Sequence, residues 1–242
     1  MYSFGQSVIN KLSVFVVLMG IATSLASAAC CADIDQGQKD QLKDLATQTR
    51  DKTRAERQNL VCARRELLKV YRDYNLDEKK AKTAIEKIDQ SQLKLLHIHL
   101  NNQIGIRNIL DASQFAAFRN RIGNKMRGSG RAEISPMRED GQDKTVDKAL
   151  RQMNLDAGEI SQINRLNKQK ISTVKSLSKN SRQLAEVYSA YDLDAAAVKK
   201  LINDIHKQQA NLLNLNLKKQ QALRKVMTEH QFKAVCSQTT KK

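Results

Sequence analysis

The stretch from Val70 to Phe118 decides the fold, and it has the sequence VYRDYNLDEKKAKTAIEKIDQSQLKLLHIHLNNQIGIRNILDASQFAAF. It returns without a gap 117 residues later, from Val187 to Val235, as VYSAYDLDAAAVKKLINDIHKQQANLLNLNLKKQQALRKVMTEHQFKAV. Seventeen of the 49 aligned pairs are identical, and among the others most apolar residues still lie opposite an apolar residue. The chain therefore contains one structural unit twice.

The composition favours long helices. The chain has 242 residues, of which 40% are hydrophobic and 4% aromatic; it has no Trp and a single Pro, Pro136. Because proline and glycine interrupt helices and bulky aromatic residues usually fill globular cores, we expect an all-α protein.

Each repeat contains the signals of a helical hairpin. Asp77 and Asp194 are N-cap residues for helices predicted at about Glu78–Ile109 and Ala195–Val226. Apolar residues before each turn, as in the stretch 38–74, also recur at steps of three and four. Periodicity alone leaves open whether that stretch is one helix or two. A short turn between long amphipathic helices predicts an antiparallel hairpin.

Four capping boxes mark the first and last helix starts of the two units. In each box an apolar residue precedes an N-cap, and a Gln or Glu three residues later reaches back to the N-cap amide. The boxes are Ile34-Asp35 with Gln38, Leu110-Asp111 with Gln114, Leu155-Asp156 with Glu159, and Met227-Thr228 with Gln231.

The middle of each long helix is apolar on more than one face. Such a helix either packs the repeats against each other or exposes a partner-binding surface, and both alternatives stay open. The residues concerned are Leu96, Ile98, Leu100, Leu213, Leu215 and Leu217.

The N-terminal segment 1–28 has the pattern of a signal peptide. An apolar run of 14 residues, Leu12–Leu25, is short for a membrane span and precedes a small-residue site at Ala26-Ser27-Ala28. An uncleaved anchor and a lipoprotein attached at Cys30 are the alternatives. We expect export without stable insertion into the membrane.

Export would allow disulfides among the four cysteines. These are Cys30, Cys31, Cys62 and Cys236, and their three possible pairings cannot be separated from the sequence. A link from Cys30 and Cys31 to Cys62 and Cys236 would join both chain ends to the first repeat.

Charge divides the chain into unequal parts. The first unit, 29–118, has net charge +3; the Gly-rich basic linker predicted at 119–150 has +3; the second unit, 151–242, has +10. A basic protein can bind nucleic acid, anionic membrane or acidic polypeptide. We expect no nucleic-acid partner, because an exported protein seldom meets one.

The sequence has no catalytic constellation, and we expect neither enzymatic activity nor a cofactor. His97 and His99 point about 200° apart on a helix, so they are poorly placed to share a metal ion. The turn tyrosines Tyr71, Tyr74, Tyr188 and Tyr191 are expected to pack in the core rather than to recognise a ligand.

The pattern of a helical hairpin bounded by such boxes resembles the periplasmic LTxxQ-motif family, which includes Spy and CpxP, over about residues 34–118 and 155–235. Thr228 keeps the Thr of the Leu-Thr-x-x-Gln motif, whereas Asp stands there in the other three boxes and Glu159 replaces the Gln. The resemblance implies all-α subunits that pair antiparallel into a thin curved cradle. It also implies chaperoning without ATP, damping of an envelope-stress sensor kinase, or metal binding. Since this chain carries two units, we expect a pseudo-dimeric cradle within one chain; a monomer and a homodimer are both compatible with it.

The favoured hypothesis is a periplasmic, ATP-independent chaperone that holds unfolded clients on a cationic, partly apolar surface. Its alternatives are an envelope-stress regulator that binds a sensor's periplasmic domain, a metal-stress protein, and a secreted protein that binds host membrane or nucleic acid. The predicted basic contacts, beside the leucines above, are Lys199, Lys200, Lys207, Lys218, Lys219, Arg224 and Lys225.

Overall fold

The structure, a computed structural model, describes residues 34–128 and 157–238, where all regular secondary structure is helical. Its helices are α1 Gln36–Arg72, α2 Glu78–Ile109, α3 Ala112–Gly128, α4 Ala157–Val187, α5 Ala195–Val226 and α6 Glu229–Gln238. The all-α prediction is confirmed. The predicted signal peptide and the 155–156 part of the third capping box lie outside the described residues, and so does the Glu159 side chain.

Helices α2 and α5 begin and end where the sequence predicts. The Asp77 carboxylate accepts a hydrogen bond from the Lys80 amide, and Asp194 accepts one from the Ala197 amide, both at 2.9 Å. Each bond satisfies an amide that lacks a partner in the first turn of a helix. The bond from the Lys80 amide is the main reason why the pKa of Asp77 is lowered.

Helix α1 is one continuous helix of 37 residues, which settles the question left open by periodicity. The polar gap in its apolar stripe contains Thr49 and Thr53, which are both buried. The Thr49 hydroxyl donates to Asn102 Oδ1 on α2 at 3.1 Å. Two short polar side chains therefore maintain the buried stripe where apolar residues are missing.

The helices pack as neighbours in a simple pattern. Helix α1 lies along α2, α4 lies along α5, and α2 also contacts α5. A single buried cluster draws on both repeats, and it includes Ile88, Leu96, Ile205 and Leu213. Each such aliphatic side chain contributes about 1.5–3 kcal/mol when it is removed from water. The two repeats therefore share one core. None of the helices in the described ranges is long and apolar enough to cross a membrane.

Helix α3 is longer than the sequence predicts. It continues to Gly128, so residues 119–128 are helical although they were assigned to the linker. Phe115, Phe118 and Ile122 follow at helical spacing and are buried in a cluster with Ile34 and Leu110. The boundary predicted at 119 is too early, because the stripe of buried residues continues past it.

Candidate functional site

The apolar part of the predicted client surface is mostly buried. Leu96, Leu213 and Leu217 belong to the core shared by both repeats, and Leu215 packs in a second cluster with Phe232. Their exposed fractions are 1–6%. The expectation of an exposed leucine patch is therefore wrong for these four residues, since packing within and between repeats covers them. Ile98 and Leu100 are half-buried.

Arg107, near the end of α2, binds the turn between α4 and α5. Its Nε donates to the carbonyl of Tyr191 at 2.8 Å. Its Nη2 donates to the carbonyls of Tyr188 at 2.8 Å and Ala190 at 2.6 Å. One guanidinium thus pairs three carbonyls at the end of a helix in the other repeat.

Arg224 makes the same contacts in the opposite direction. Its Nε donates to the carbonyl of Tyr74 at 2.9 Å. Its Nη2 donates to the carbonyl of Tyr71 at 2.9 Å and to that of Asp73. Each donor and acceptor lies 117 residues from its counterpart in the other contact. We call the two arginines and these six carbonyls the clasp.

Aromatic rings complete the clasp. The Arg107 guanidinium lies 4.4 Å from the ring centre of Phe115, and that of Arg224 lies 4.3 Å from Phe232. A cation over an aromatic face is attracted by the ring quadrupole. Burial, with a smaller contribution from the nearby charge of Arg119, lowers the pKa of Arg107.

The turn tyrosines are part of this packing. Tyr71 and Tyr188 are buried, and burial raises the pKa of both phenols. The Tyr74 hydroxyl donates to the carbonyl of Met227 at 2.8 Å, and that of Tyr191 donates to Leu110 at 3.0 Å. These carbonyls follow the helices of the opposite repeat, so the tyrosines join the repeats to each other.

Two of the predicted client-binding cations have partners within the fold. Arg224 belongs to the clasp, and Lys219 donates to Asn167 Oδ1 at 2.8 Å. The assignment of Arg224 to an open client surface is therefore wrong. A sequence signal for its role existed, because Arg107 and Arg224 are identical in a helix whose other charged positions mostly differ.

Midway between the two halves of the clasp, α2 and α5 meet at polar residues. The Asp89 carboxylate and His206 Nε2 lie 2.9 Å apart. Gln92 and Gln209 are buried one turn further along the two helices. Asp89 and His206 are counterparts in the repeat, as are the two glutamines.

Four of the predicted lysines form a line on the outer face of α5. Lys200, Lys207, Lys218 and Lys225 are exposed and follow each other at seven, eleven and seven residues. These spacings place them within roughly 20° of each other around the helix and along roughly 40 Å of its length. Within the described ranges, none of them makes an ion pair. We call these four residues the lysine stripe; Lys199 is exposed on a neighbouring face.

The first repeat has no such stripe. At the equivalent positions of α2 it carries Thr83, Gln90, Asn101 and Asn108. The exposed face of α2 is polar but uncharged at these points. The excess positive charge of the second repeat thus includes a linear array that the first repeat lacks.

The capping boxes of the first repeat contact each other. The Gln38 and Gln114 amides form two mutual hydrogen bonds of 3.0 Å. Each Oε1 also accepts from the amide of its own N-cap, Asp35 or Asp111. A glutamine can both accept and donate in this way, whereas a carboxylate could only accept. At α6, Gln231 accepts from the Thr228 amide at 2.8 Å.

Histidines and cysteines form no metal cluster in the part of the chain that the structure describes. His99 is buried against Tyr188, while His97 and His230 are exposed. Cys62 is exposed on α1. The side chains of the other three cysteines lie outside the described residues, so the disulfide pairing stays a prediction.

The chain was compared with family models, with curated proteins and with solved structures, and none of the three comparisons found a match.

Proposed function

We propose that the two repeats are helical hairpins that pair as a pseudo-dimer within one chain. The reciprocal clasp supports this arrangement, because every contact made by Arg107 has an equivalent made by Arg224. The contact between the counterparts Asp89 and His206 also supports it. A residue touches its own counterpart only close to a two-fold axis.

On this scaffold, the chain acts as an exported, ATP-independent chaperone that holds partly unfolded, acidic polypeptides in the periplasm. The observation that carries this proposal is the lysine stripe, an exposed array with no acidic partner among the described residues. Cationic arrays speed the encounter with acidic chains and hold them weakly, so that a client can leave as it folds.

Clients would be bound mainly by charge interactions rather than by apolar contacts. The central leucines are buried, and the exposed large apolar side chains in the described ranges are Val61, Ile104 and Ile171. Because these three side chains are scattered over three helices, they offer a client little apolar surface, and binding would depend on the lysines. Client binding should therefore weaken steeply as added salt screens the lysine charges.

The test measures light scattering of an acidic, aggregation-prone protein with and without the full chain, at low and at physiological salt. The lysine stripe is changed to the residues of the first repeat, as Lys200→Thr, Lys207→Gln, Lys218→Asn and Lys225→Asn. We expect wild-type protein to suppress aggregation at stoichiometric amounts and this variant to lose at least half of that suppression.

The control removes an equal charge from α1, through Lys43→Gln, Arg50→Gln, Lys52→Gln and Arg54→Gln. All four control positions are exposed. Equal losses in both variants would show that only net charge matters and would contradict a role for the stripe. An absence of suppression by the wild-type chain would rule out the chaperone itself.

A further inference from the structure

A groove lies in the first repeat where the end of α1 meets the start of α2. Its volume is about 590 Å³, within the range of pockets that hold small ligands. Its lining comes from residues 66–70 of α1, from Asp77 and from residues 79–87 of α2. It is separate from the lysine stripe, which lies on α5.

The groove has an apolar floor and a cationic rim. Val70 and the buried Ala84 contribute the floor. Lys80 pairs with Asp77 at 2.9 Å, and Lys87 pairs with Glu66 at 3.0 Å.

These two pairs use both acids of the lining. Lys69 and Lys79 are exposed, and neither pairs with an acid in the described ranges. The groove therefore presents two free ammonium groups beside an apolar surface.

The equivalent place in the second repeat has different chemistry. Leu201 stands where the groove has Ala84, and Ala196 and Ala197 replace Lys79 and Lys80. Glu186 and Asp204 replace Lys69 and Lys87, which reverses the charge at both positions. The chain thus contains, on the same fold, a version of the site with a larger floor residue and an acidic rim.

We propose that this groove binds a short acidic segment of a polypeptide, with an apolar side chain on the floor and carboxylates at Lys69 and Lys79. Charge complementarity argues for an anionic occupant. Because Val70 and Ala84 are the apolar residues of the lining and two ion pairs lie beside them, the floor fits one or two side chains rather than a long acyl chain. The groove would give the chain a selective contact that the lysine stripe, a line of charge, does not provide.

The probe is a fluorescein-labelled peptide, Gly-Asp-Leu-Asp-Asp-Leu-Asp-Gly, titrated with the full chain while fluorescence anisotropy is measured. Unlabelled versions with Leu→Ser or Asp→Lys changes, and dodecanoate, serve as competitors. We expect the unlabelled parent peptide to compete and the altered peptides to be at least tenfold weaker. Dodecanoate should also be at least tenfold weaker than the parent peptide.

Three substitutions borrow the residues of the second repeat: Ala84→Leu fills the floor, while Lys69→Glu and Lys79→Ala alter the rim. Ala84→Leu and Lys69→Glu, which reverses a charge, should each weaken peptide binding at least tenfold, and Lys79→Ala should weaken it about threefold. The two rim variants should keep the urea midpoint of wild type. The rim variants keep the test decisive if Ala84→Leu disturbs folding. The stripe variant described above should bind the peptide as wild type does.

Three results would overturn the proposal: no saturable binding to wild type, unchanged binding in the rim variants, or dodecanoate competing as well as the parent peptide. Because this assay measures peptide binding directly, it can fail while aggregation suppression persists, and the reverse also holds.

Discussion

The apolar positions at which the two repeats pack together are mostly alike, whereas their solvent-facing positions mostly differ. Ile88 and Leu96 are buried at the same positions as Ile205 and Leu213, and all four residues enter one core. The outer positions differ in charge, as the lysine stripe shows. Packing and the clasp constrain the inner faces, whereas the exposed faces are free to differentiate.

The ion pairs show the same contrast. In the first repeat Lys94 pairs with Glu56 across α1 and α2 at 3.4 Å. The equivalent residues of the second repeat are Asn211 and Thr173, which form a neutral hydrogen bond of 3.1 Å. The first repeat therefore pairs a lysine with an acid at two positions where the second repeat has neutral side chains.

The largest expected effect concerns the clasp, whose two halves differ in one respect. Arg119 adds a hydrogen bond to the Tyr188 carbonyl at 3.2 Å, and its counterpart in the second repeat is Cys236. Arg224→Ala should lower the free energy of unfolding by about 3 kcal/mol, because it removes hydrogen bonds from a charged donor and leaves the part-buried carbonyls of Tyr71 and Tyr74 unpaired. Arg107→Ala should cost about 2 kcal/mol, since Arg119 still serves one carbonyl.

Urea unfolding of the full chain measures both effects, with Lys43→Ala, at an exposed α1 position, as the control. Equal costs for the two arginines would break the predicted asymmetry. A cost within about 0.5 kcal/mol for either, the range of ordinary surface substitutions, would contradict the clasp.

The second effect is the acid lability that His99 contributes to the first repeat. Burial lowers the pKa of His99 to about 4, whereas its counterpart is Asn216. The unfolded chain binds a proton at the ordinary value of about 6.5, so stability present above that pH is lost as the pH falls toward 4.

His99→Asn should therefore reduce the loss of unfolding free energy between pH 7.5 and pH 5 by about 2 kcal/mol. His97→Asn, at an exposed position, should leave that loss unchanged. Urea titrations of the three proteins at both pH values decide the matter. An identical pH dependence in His99→Asn and wild type would show that His99 is not buried in its neutral form.

The smallest effect is the exchange of the outer ion pair for its neutral equivalent. Glu56→Thr combined with Lys94→Asn should change the unfolding free energy by less than about 0.5 kcal/mol, because exposed ion pairs contribute little. Thermal unfolding at low and high salt measures it. A loss of unfolding free energy above about 1 kcal/mol would mean that charge pairing, and not only packing, stabilises the first repeat.

Signals within a few residues predicted the helices well. Features that depend on contacts between residues distant in the sequence could not be predicted. The bounds of α2 and α5 follow from N-caps and turn residues, which act within a few positions. The role of Arg224 could not be derived in the same way, because its acceptors lie about 150 residues away in sequence. The exposure of Leu96 and Leu213 was equally undecidable, since an apolar central face suits both a core and a binding surface.

The groove was missed for a related reason. Ala84 is an ordinary helix residue in the sequence, and its meaning depends on the lysines that α1 and α2 place around it. The comparison with Leu201 at the equivalent position shows that Ala84 leaves room on the floor of the groove that a leucine would fill. In a repeated chain, each residue can thus be compared with its counterpart in the other repeat once the structure shows where both lie.

The most direct test concerns the proposed pairing of the two repeats inside one chain. Gln221 of α5 donates to the Glu78 carboxylate of α2 at 2.7 Å, which joins exposed residues of different repeats. Gln221→Lys places an amine beside that carboxylate, so that carbodiimide can form an amide bond between positions 78 and 221. Mass spectrometry of the digested monomer fraction identifies the cross-link, and the same reaction in concentrated urea is the control. The pseudo-dimer predicts a 78–221 cross-link within single chains that urea abolishes; its absence, or its presence only between two chains, would contradict the account.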